Sequence, residues 1–205
     1  RTKDPEKRAA ILKDKQEAHA KLVKNHEKEV EEKRAAWWDN VREKAALSAV
    51  TGYVMAIGYY STDADNFVVD IDNEDTLLSN FWAQVKRTAA SSRVLVGHNI
   101  EGFDIPFLVR RSWFHGIEVP EGVYEGRYLN RRLFKDTMQI WGLGRYEFIG
   151  LDDLAKALEL PGKMEGVSGA EFARLLKEEP QKAEEYLKTD LTVTAAVAQR
   201  IGVVG

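Results

Sequence analysis

One short stretch places the tightest limit on how this chain folds. The predicted strand over 93–96 contains an apolar run without polar alternation at 94–96, and mostly polar and glycine residues follow at 97–102. Such a run is typical of a strand buried on both faces. From 103 to 115 the apolar residues recur with helical spacing. The stretch therefore predicts a strand, a turn and a helix in that order, as in sheets that carry helices on their faces.

Acidic residues in two predicted helices form a candidate site. Asp104 follows the predicted strand at 93–96, where open α/β sheets commonly bind ligands. Tyr186 and Asp190 are four residues apart in a predicted helix, so their side chains share one face. Each motif also has a purely structural explanation. Asp104 would then be a first-turn residue that interacts favourably with the helix dipole, and Tyr186 and Asp190 would be a packed and a solvated residue of an ordinary amphipathic helix. Each motif alone is weak, and the pair is the stronger signal.

The two motifs together resemble motifs II and III of the DEDD (DnaQ-like) 3′→5′ exonucleases, in the branch that carries Tyr in motif III. Over most of residues 45–201 the chain is most similar to predicted 3′→5′ exonucleases related to the proofreading domains of family-B DNA polymerases. The resemblance implies an α/β fold with a ribonuclease H-like mixed sheet flanked by helices. It also implies metal-dependent hydrolysis of phosphodiester bonds at single-stranded DNA ends.

The resemblance assigns roles to individual residues. Asp104 and Asp190 are the implied ligands in a site for two Mg²⁺ or Mn²⁺ ions. Tyr186 is implied to position the attacking water, since a phenol with a reference pKa near 10 is a poor base at neutral pH. The expected substrate contacts are Asn99, Phe103, His98 and Lys163. For His98 the alternative is a packing or capping role, and we expect Lys163 to contact a phosphate.

Two further acidic positions bear on the site. Asp136 precedes Thr137, and the family often has Asp-Thr here, so we expect Asp136 to support the site without binding metal. Motif I of the family, an Asp-x-Glu on the first core strand, is missing from its expected place. Asp72-Asn73-Glu74 matches that pattern literally, but it lies where caps are normal, between a predicted strand and a helix. In the resembled family a charged helical stretch lies between motif I and the second strand, and the segment before residue 45 looks like that stretch. The resemblance therefore implies that motif I lies upstream of Arg1 and that this chain is an N-terminally incomplete, poorly active form.

The first part of the chain differs in composition from the rest. Residues 1–45 are dense in Lys, Glu and Ala, which are good helix formers. Asp4 is the predicted N-cap, and Pro5 takes the first helical position. Apolar residues are too sparse for a sustained coiled coil. The sequence thus predicts a charged helical arm over 1–45 and an exonuclease-like core over 46–205, without the motif I strand.

Periodicity and turn signals outline the remaining elements of the core. The hairpin strands come first, and strands then alternate with helices. The predicted strands are 53–60, 66–71 and 133–141, and the predicted helices are 75–90, 151–160, 169–177 with Ser168 as its cap, and 181–201.

Charge and cysteine content limit the partners. The net charge is −3, so bulk electrostatics do not indicate nucleic-acid binding. Local basic clusters offer phosphate contacts, with a solvated surface as the alternative: Arg110, Arg111, Arg127, Arg131, Arg132 and Lys135. The chain has no Cys, which fits a reducing compartment, and we expect a cytoplasmic protein. No apolar run approaches the roughly 20 residues of a membrane span, so no membrane partner is expected.

Three functions follow from these observations. The first is an exonuclease that acts on single-stranded DNA, with a polymerase or another replication or repair protein as a partner. The second is a catalytically silent nucleic-acid-binding or scaffolding module, in which the arm binds the partner. The third is a nuclease directed at RNA on the same fold.

Overall fold

The computed structural model describes residues 5–145, 147–164, 166–167 and 169–204. The chain divides into two units, one over residues 1–47 and the other over residues 48–205. The predicted caps Asp4 and Ser168 lie outside the described residues. Across the described ranges, no helix is both long enough and apolar enough to cross a membrane.

The first unit contains one helix, α1, Pro5–Ala46. Its 42 residues correspond to a length of about 63 Å at 1.5 Å per residue. Glu6 in the first turn and Lys44 in the last turn both complement the helix dipole. Trp37 and Trp38 pack edge to face at 4.7 Å between ring centroids, but both are exposed. Helix propensity accounts for α1, because it buries little of its own apolar surface.

The second unit is a mixture of short strands and helices, as predicted. Its strands form three two-stranded ladders. The ladders are β1, Ile57–Ser61, antiparallel to β2, Asn66–Asp70; β3, Leu95–Gly97, parallel to β6, Phe134–Asp136; and β4, Tyr124–Glu125, antiparallel to β5, Tyr128–Leu129. The helices are α2, Glu74–Ala90; α3, Asp104–Phe114; α4, Thr137–Trp141; α5, Leu151–Ala157; a 3₁₀ turn, Gly169–Glu171; α6, Phe172–Glu178; and α7, Pro180–Arg200.

Two apolar cores hold the second unit together. The larger core joins α2 and α3 to β1, β3 and the β4–β5 hairpin, and the predicted apolar face of α2 is buried in it. The smaller core joins α5 to α7. Helix α7 also packs on β1 and β3, and the missing side chain of Gly58 lets Leu191 approach β1 closely. The β1 and β3 ladders therefore lie between α2 and α3 on one side and α7 on the other.

Three predictions of the strands were wrong in detail. The first strand begins at Ile57, because the backbone N–H of Val54 donates to the Glu74 carboxylate instead of to a strand. β3 is only half-buried along its length, so its apolar run does not mark burial on both faces. The strand predicted over 133–141 ends at Asp136, where α4 begins. Asp136 causes that change by capping α4, since its carboxylate accepts hydrogen bonds from Met138 N and Gln139 N.

Candidate active site

The turn after β3 is held by the carboxylate of Asp136. This side chain is 5% exposed, and it accepts hydrogen bonds from Asn99 N and Glu101 N, both at 2.9 Å. Because the same carboxylate caps α4, it ties the end of β6 to the turn that precedes Asp104. Asn99 has a φ of 60°, a conformation that Asn tolerates better than most residues. The supporting role expected for Asp136 therefore has a structural basis in backbone hydrogen bonds.

Asp104 opens α3, immediately after Phe103 at the N-cap. The residue is solvent-exposed, yet desolvation by the surrounding protein raises the pKa of its carboxyl to about 6, and the negative charge of Asp136 acts in the same direction. A carboxylate in an open surface recess explains both observations, because protein surrounds it while water still reaches it.

The second part of the site lies on α7. Tyr186 is 6% exposed and packs near the Phe172 ring, at 6.0 Å between centroids. One turn along the helix, Asp190 places Oδ2 at 2.8 Å from Nζ of Lys163. Its other oxygen, Oδ1, is buried and accepts no hydrogen bond from the described residues. An unpartnered carboxylate oxygen is costly to bury, and such an atom calls for an explanation.

Electrostatics couple Tyr186, Asp190 and Lys163. Burial raises the pKa of Asp190, and the nearby Lys163 ammonium only partly opposes that effect. Burial acts to lower the pKa of Lys163, but the hydrogen bond to Asp190, the charge of Asp190 and the contacts with Tyr186 together outweigh burial and leave the pKa raised. Burial and the charge of Asp190 both raise the pKa of Tyr186. At neutral pH the phenol is therefore protonated and the lysine is charged.

Asp152 fixes the position of Lys163. Its Oδ1 accepts a hydrogen bond from Lys163 N at 2.9 Å, while Oδ2 pairs with Nζ of Lys156 at 2.5 Å. A side chain at Gly162 would place its Cβ 2.7 Å from Asp152 Oδ1, so glycine permits this close approach. Sequence reasoning missed this role of Asp152. The signal available was the acidic first turn of α5, which precedes the Pro161-Gly162 turn.

His98 uses both ring nitrogens within the protein. Nε2 lies 2.8 Å from the carbonyl oxygen of Ile149, and Nδ1 lies 2.9 Å from Oγ1 of Thr137. Because a carbonyl only accepts, Nε2 is the donor to Ile149, and the Thr137 hydroxyl also lies 3.3 Å from the carbonyl oxygen of Gly97. This arrangement ties the turn after β3 to the loop before α5. Substrate contact by His98, Asn99 and Phe103 stays a prediction.

Glu74, part of the literal Asp-x-Glu, belongs to a separate ion network. Arg111 donates to both of its oxygens, at 2.8 and 2.6 Å, and His115 Nε2 lies 2.9 Å away. Burial acts to raise the pKa of Glu74, but the hydrogen bonds from Arg111 and the Val54 N–H lower it overall. These contacts account for the acidic residue at this position without a metal ion.

The candidate residues therefore fall into two groups. Tyr186, Asp190 and Lys163 are in contact on α7 and the loop before α6. Asp104 belongs to the turn that Asp136 holds. Within the described ranges, no three His, Cys, Asp or Glu side chains converge closely enough to hold a metal ion.

Comparison with known proteins decides the family. Residues 48–204 match a family described as predicted 3′-5′ exonucleases related to the exonuclease domain of PolB. The chain belongs to this family. No curated protein matches it. The family match confirms the resemblance to the exonuclease superfamily, and it spans nearly all of the second unit, including both groups of candidate residues.

Proposed function

We propose that this exonuclease-family chain is the core of a metal-dependent 3′→5′ exonuclease that hydrolyses phosphodiester bonds at single-stranded DNA ends. The cluster of Tyr186, Asp190 and Lys163 carries the proposal. Its members are a carboxylate that has one unpartnered oxygen, a protonated phenol and a cation, and these three groups lie next to one another. These are the groups that must hold a metal, orient a water and meet a phosphate.

The donor chemistry of the cluster fits a hard divalent cation. Mg²⁺ and Mn²⁺ prefer carboxylate oxygens and retain several waters. Asp190 Oδ1 is buried without a described partner, and Oδ2 is balanced by an ammonium at 2.8 Å. A metal ion that displaced Lys163 would satisfy both oxygens. Asp104, on the turn held by Asp136, supplies the second carboxylate of the proposed site.

Each side chain of the cluster has a distinct task in the proposed reaction. Bound divalent ions supply an activated water and neutralise the charge on the leaving oxygen. Tyr186 remains protonated because its pKa is raised, so its hydroxyl orients the water without removing a proton. Lys163, displaced from Asp190, meets the scissile phosphate as a point charge. Asp136 keeps the turn that presents Asp104 in place through its hydrogen bonds to Asn99 N and Glu101 N.

The proposal includes a ribonuclease H-like sheet that one more strand completes. Helix α7 packs more closely on β1 than on β2, and it packs on β3 more than on β6. The strands that α7 mainly covers are therefore β1 and β3, and each pairs with one other strand among the described residues. A strand between them would join the two ladders. An Asp-x-Glu on that strand, from outside the described residues, would bring two more carboxylates to Asp104 and Asp190.

A labelled-strand assay tests the function. Single-stranded DNA with a 5′ label is incubated with the protein in Mn²⁺ or in EDTA. The expected result is a ladder that shortens from the 3′ end in Mn²⁺ only, and that is lost in Asp190→Asn. A ladder of equal intensity in EDTA would overturn the proposal. We expect slow cleavage by these 205 residues, because the described carboxylates do not form a closed metal site.

The rival functions predict different results in the same assay. A silent binding or scaffolding module retains the DNA, shows no requirement for metal and produces no ladder. The absence of a three-ligand cluster among the described side chains favours this rival for the isolated polypeptide. A nuclease directed at RNA shortens a 5′-labelled RNA faster than the DNA of the same sequence. A polymerase or repair partner would raise the cleavage rate when it is added to the exonuclease.

A further inference from the structure

A groove between α3 and the β4–β5 hairpin is lined by none of the residues of the candidate active site. Its volume is about 360 Å³, near the small end of the range for ligand sites. One wall is a stripe along α3, and the other is the turn of the β4–β5 hairpin. The lining residues are Pro106, Val109, Arg110 and Trp113 on the helix, and Tyr124, Gly126 and Arg127 on the hairpin.

The helix wall presents a large aromatic surface to solvent. Trp113 is 69% exposed, although an indole ring normally buries most of its area. It shares its face of α3 with Pro106 and Arg110, because spacings of three, four and seven residues align along a helix. An exposed ring in a groove is available for stacking on a planar partner.

The hairpin wall adds an arginine that is already stacked on an aromatic ring. The Arg127 guanidinium lies 4.8 Å from the centroid of the Tyr128 ring, and it donates to the Tyr128 hydroxyl at 2.6 Å. Gly126 provides the positive φ of 65° that this two-residue hairpin turn requires. The ring of Tyr128 is 54% exposed, so it extends the aromatic surface past the edge of the groove.

The charge of the groove is positive. Arg110 and Arg127 line it and no carboxylate is among the lining residues, although the charge of Glu101 also acts on Tyr124. Arg110 is exposed and makes no ion pair with the described side chains, so its charge is available to a ligand. It lies close enough to Tyr124 that its charge opposes the rise in the pKa of Tyr124 that burial causes. Two arginines beside stackable rings match the phosphates and bases of a single strand.

We propose that this groove binds the single-stranded part of the polynucleotide substrate, with one base stacked on Trp113 and phosphates at Arg110 and Arg127. This inference rests on the proposed function, because it assigns the path that leads substrate to the same active site. The groove begins at Pro106, in the same first turn of α3 as Asp104. From there it follows the helix for about 10 Å to Trp113. A duplex does not fit, because its bases are not free to stack.

Binding without cleavage gives the test. A short fluorescein-labelled oligothymidylate is titrated with the protein in EDTA, and anisotropy is recorded over a series of salt concentrations. Trp113→Ala should weaken binding about tenfold and leave the salt dependence unchanged, because stacking carries no charge. Arg110→Gln and Arg127→Gln should each reduce the slope of log K against log salt by about 0.7. Arg87→Gln and Trp37→Ala are the matched controls, and both should bind like the wild type.

The outcomes distinguish a failure of the proposed groove from a failure of the proposed exonuclease activity. Weaker binding by the groove variants, with a raised KM and unchanged kcat in Mn²⁺, supports the groove as the substrate path. Wild-type affinity in the Trp113→Ala, Arg110→Gln double variant overturns the groove and leaves the proposed exonuclease intact. Groove-dependent binding without any metal-dependent cleavage retains the groove and overturns the exonuclease. Equal binding of polyglutamate, or of duplex DNA, would overturn the assignment to a single strand, while oligouridylate shows whether RNA is accepted.

Discussion

The two carboxylates of the candidate site occupy opposite environments. Asp104 is exposed at the start of α3 and has no ion-pair partner among the described residues. The Asp136 carboxylate holds it indirectly, by accepting hydrogen bonds from the backbone of the preceding turn. Asp190 is half-buried on α7, has a lysine on one oxygen and lacks a described partner on the other. Burial raises the pKa of both. The two carboxylates of the proposed site are thus stabilised in different ways: solvent reaches Asp104, and the Lys163 ammonium pairs with Asp190.

The largest expected effect comes from removing either carboxylate. Asp190→Asn and Asp104→Asn should each reduce metal-dependent cleavage by about two orders of magnitude or more. Mutation of a residue that only hydrogen-bonds to a metal ligand typically costs about 10–100-fold. Both variants should keep the far-UV circular dichroism of the wild type, since neither carboxylate anchors the backbone. Cleavage assays with Mn²⁺ measure the loss. If one variant cleaves at the wild-type rate, that carboxylate does not belong to the site.

Asp136→Asn should separate positioning from ligation. The NH₂ group of the new amide donates and cannot accept a hydrogen bond. The backbone N–H of Glu101 or of Asn99 would therefore face this second donor in a buried place. We expect the free energy of unfolding to fall by about 2–4 kcal/mol, which urea denaturation measures. Asp153→Asn, an exposed change in the first turn of α5, is the control and should cost less than about 1 kcal/mol. Equal stability of the two variants would contradict the role of Asp136 as the anchor of the turn.

The pKa of about 6 for Asp104 predicts two pH effects of opposite sign. The folded state binds more protons than the unfolded state between the ordinary pKa of 3.8 and about 6, so Asp104 lowers stability as pH rises through that window. Metal affinity should rise through the same window, because only the carboxylate binds the ion. Melting temperatures of wild type and Asp104→Asn should therefore diverge between pH 4 and 7, with the variant gaining. A constant difference across that range would show that the pKa of Asp104 is not raised.

The smallest expected effect concerns the cation beside Asp190. Lys163→Gln removes a charge that competes with a metal ion for Oδ2, so Mn²⁺ should bind about two- to fivefold more tightly, in line with a partly exposed ion pair. Cleavage should nevertheless slow, because the phosphate loses its point charge. Titration calorimetry measures the affinity. Lys156→Gln is the control, since Lys156 pairs with Asp152 and leaves Asp190 unchanged. Weaker Mn²⁺ binding by Lys163→Gln would show that the lysine organises the site instead of competing with the ion.

Much of the fold could be predicted from local pattern. The apolar faces of α2 and α3 have helical spacing, and Gly116, at a φ of 65°, follows α3 in the left-handed conformation that commonly ends a helix. The error over 133–141 is local in origin, because Asp136 caps α4 through Met138 N and Gln139 N, and Asp is a preferred N-cap residue. The error in the first strand has a distant cause. Val54 leaves that strand because Glu74, twenty residues away, accepts its N–H.

The sequence by itself determined the positions of Asp104, Tyr186 and Asp190 on helices, since spacing along one helix is a local property. It also determined α1, through a composition rich in helix formers. Only the tertiary structure decided that Lys163 lies on Asp190, that Asp136 anchors the turn before Asp104, and that Trp113 and Arg127 line one groove. Those contacts join residues far apart in the chain. They depend on how the helices and ladders pack, and spacing along the chain carries no information about that packing.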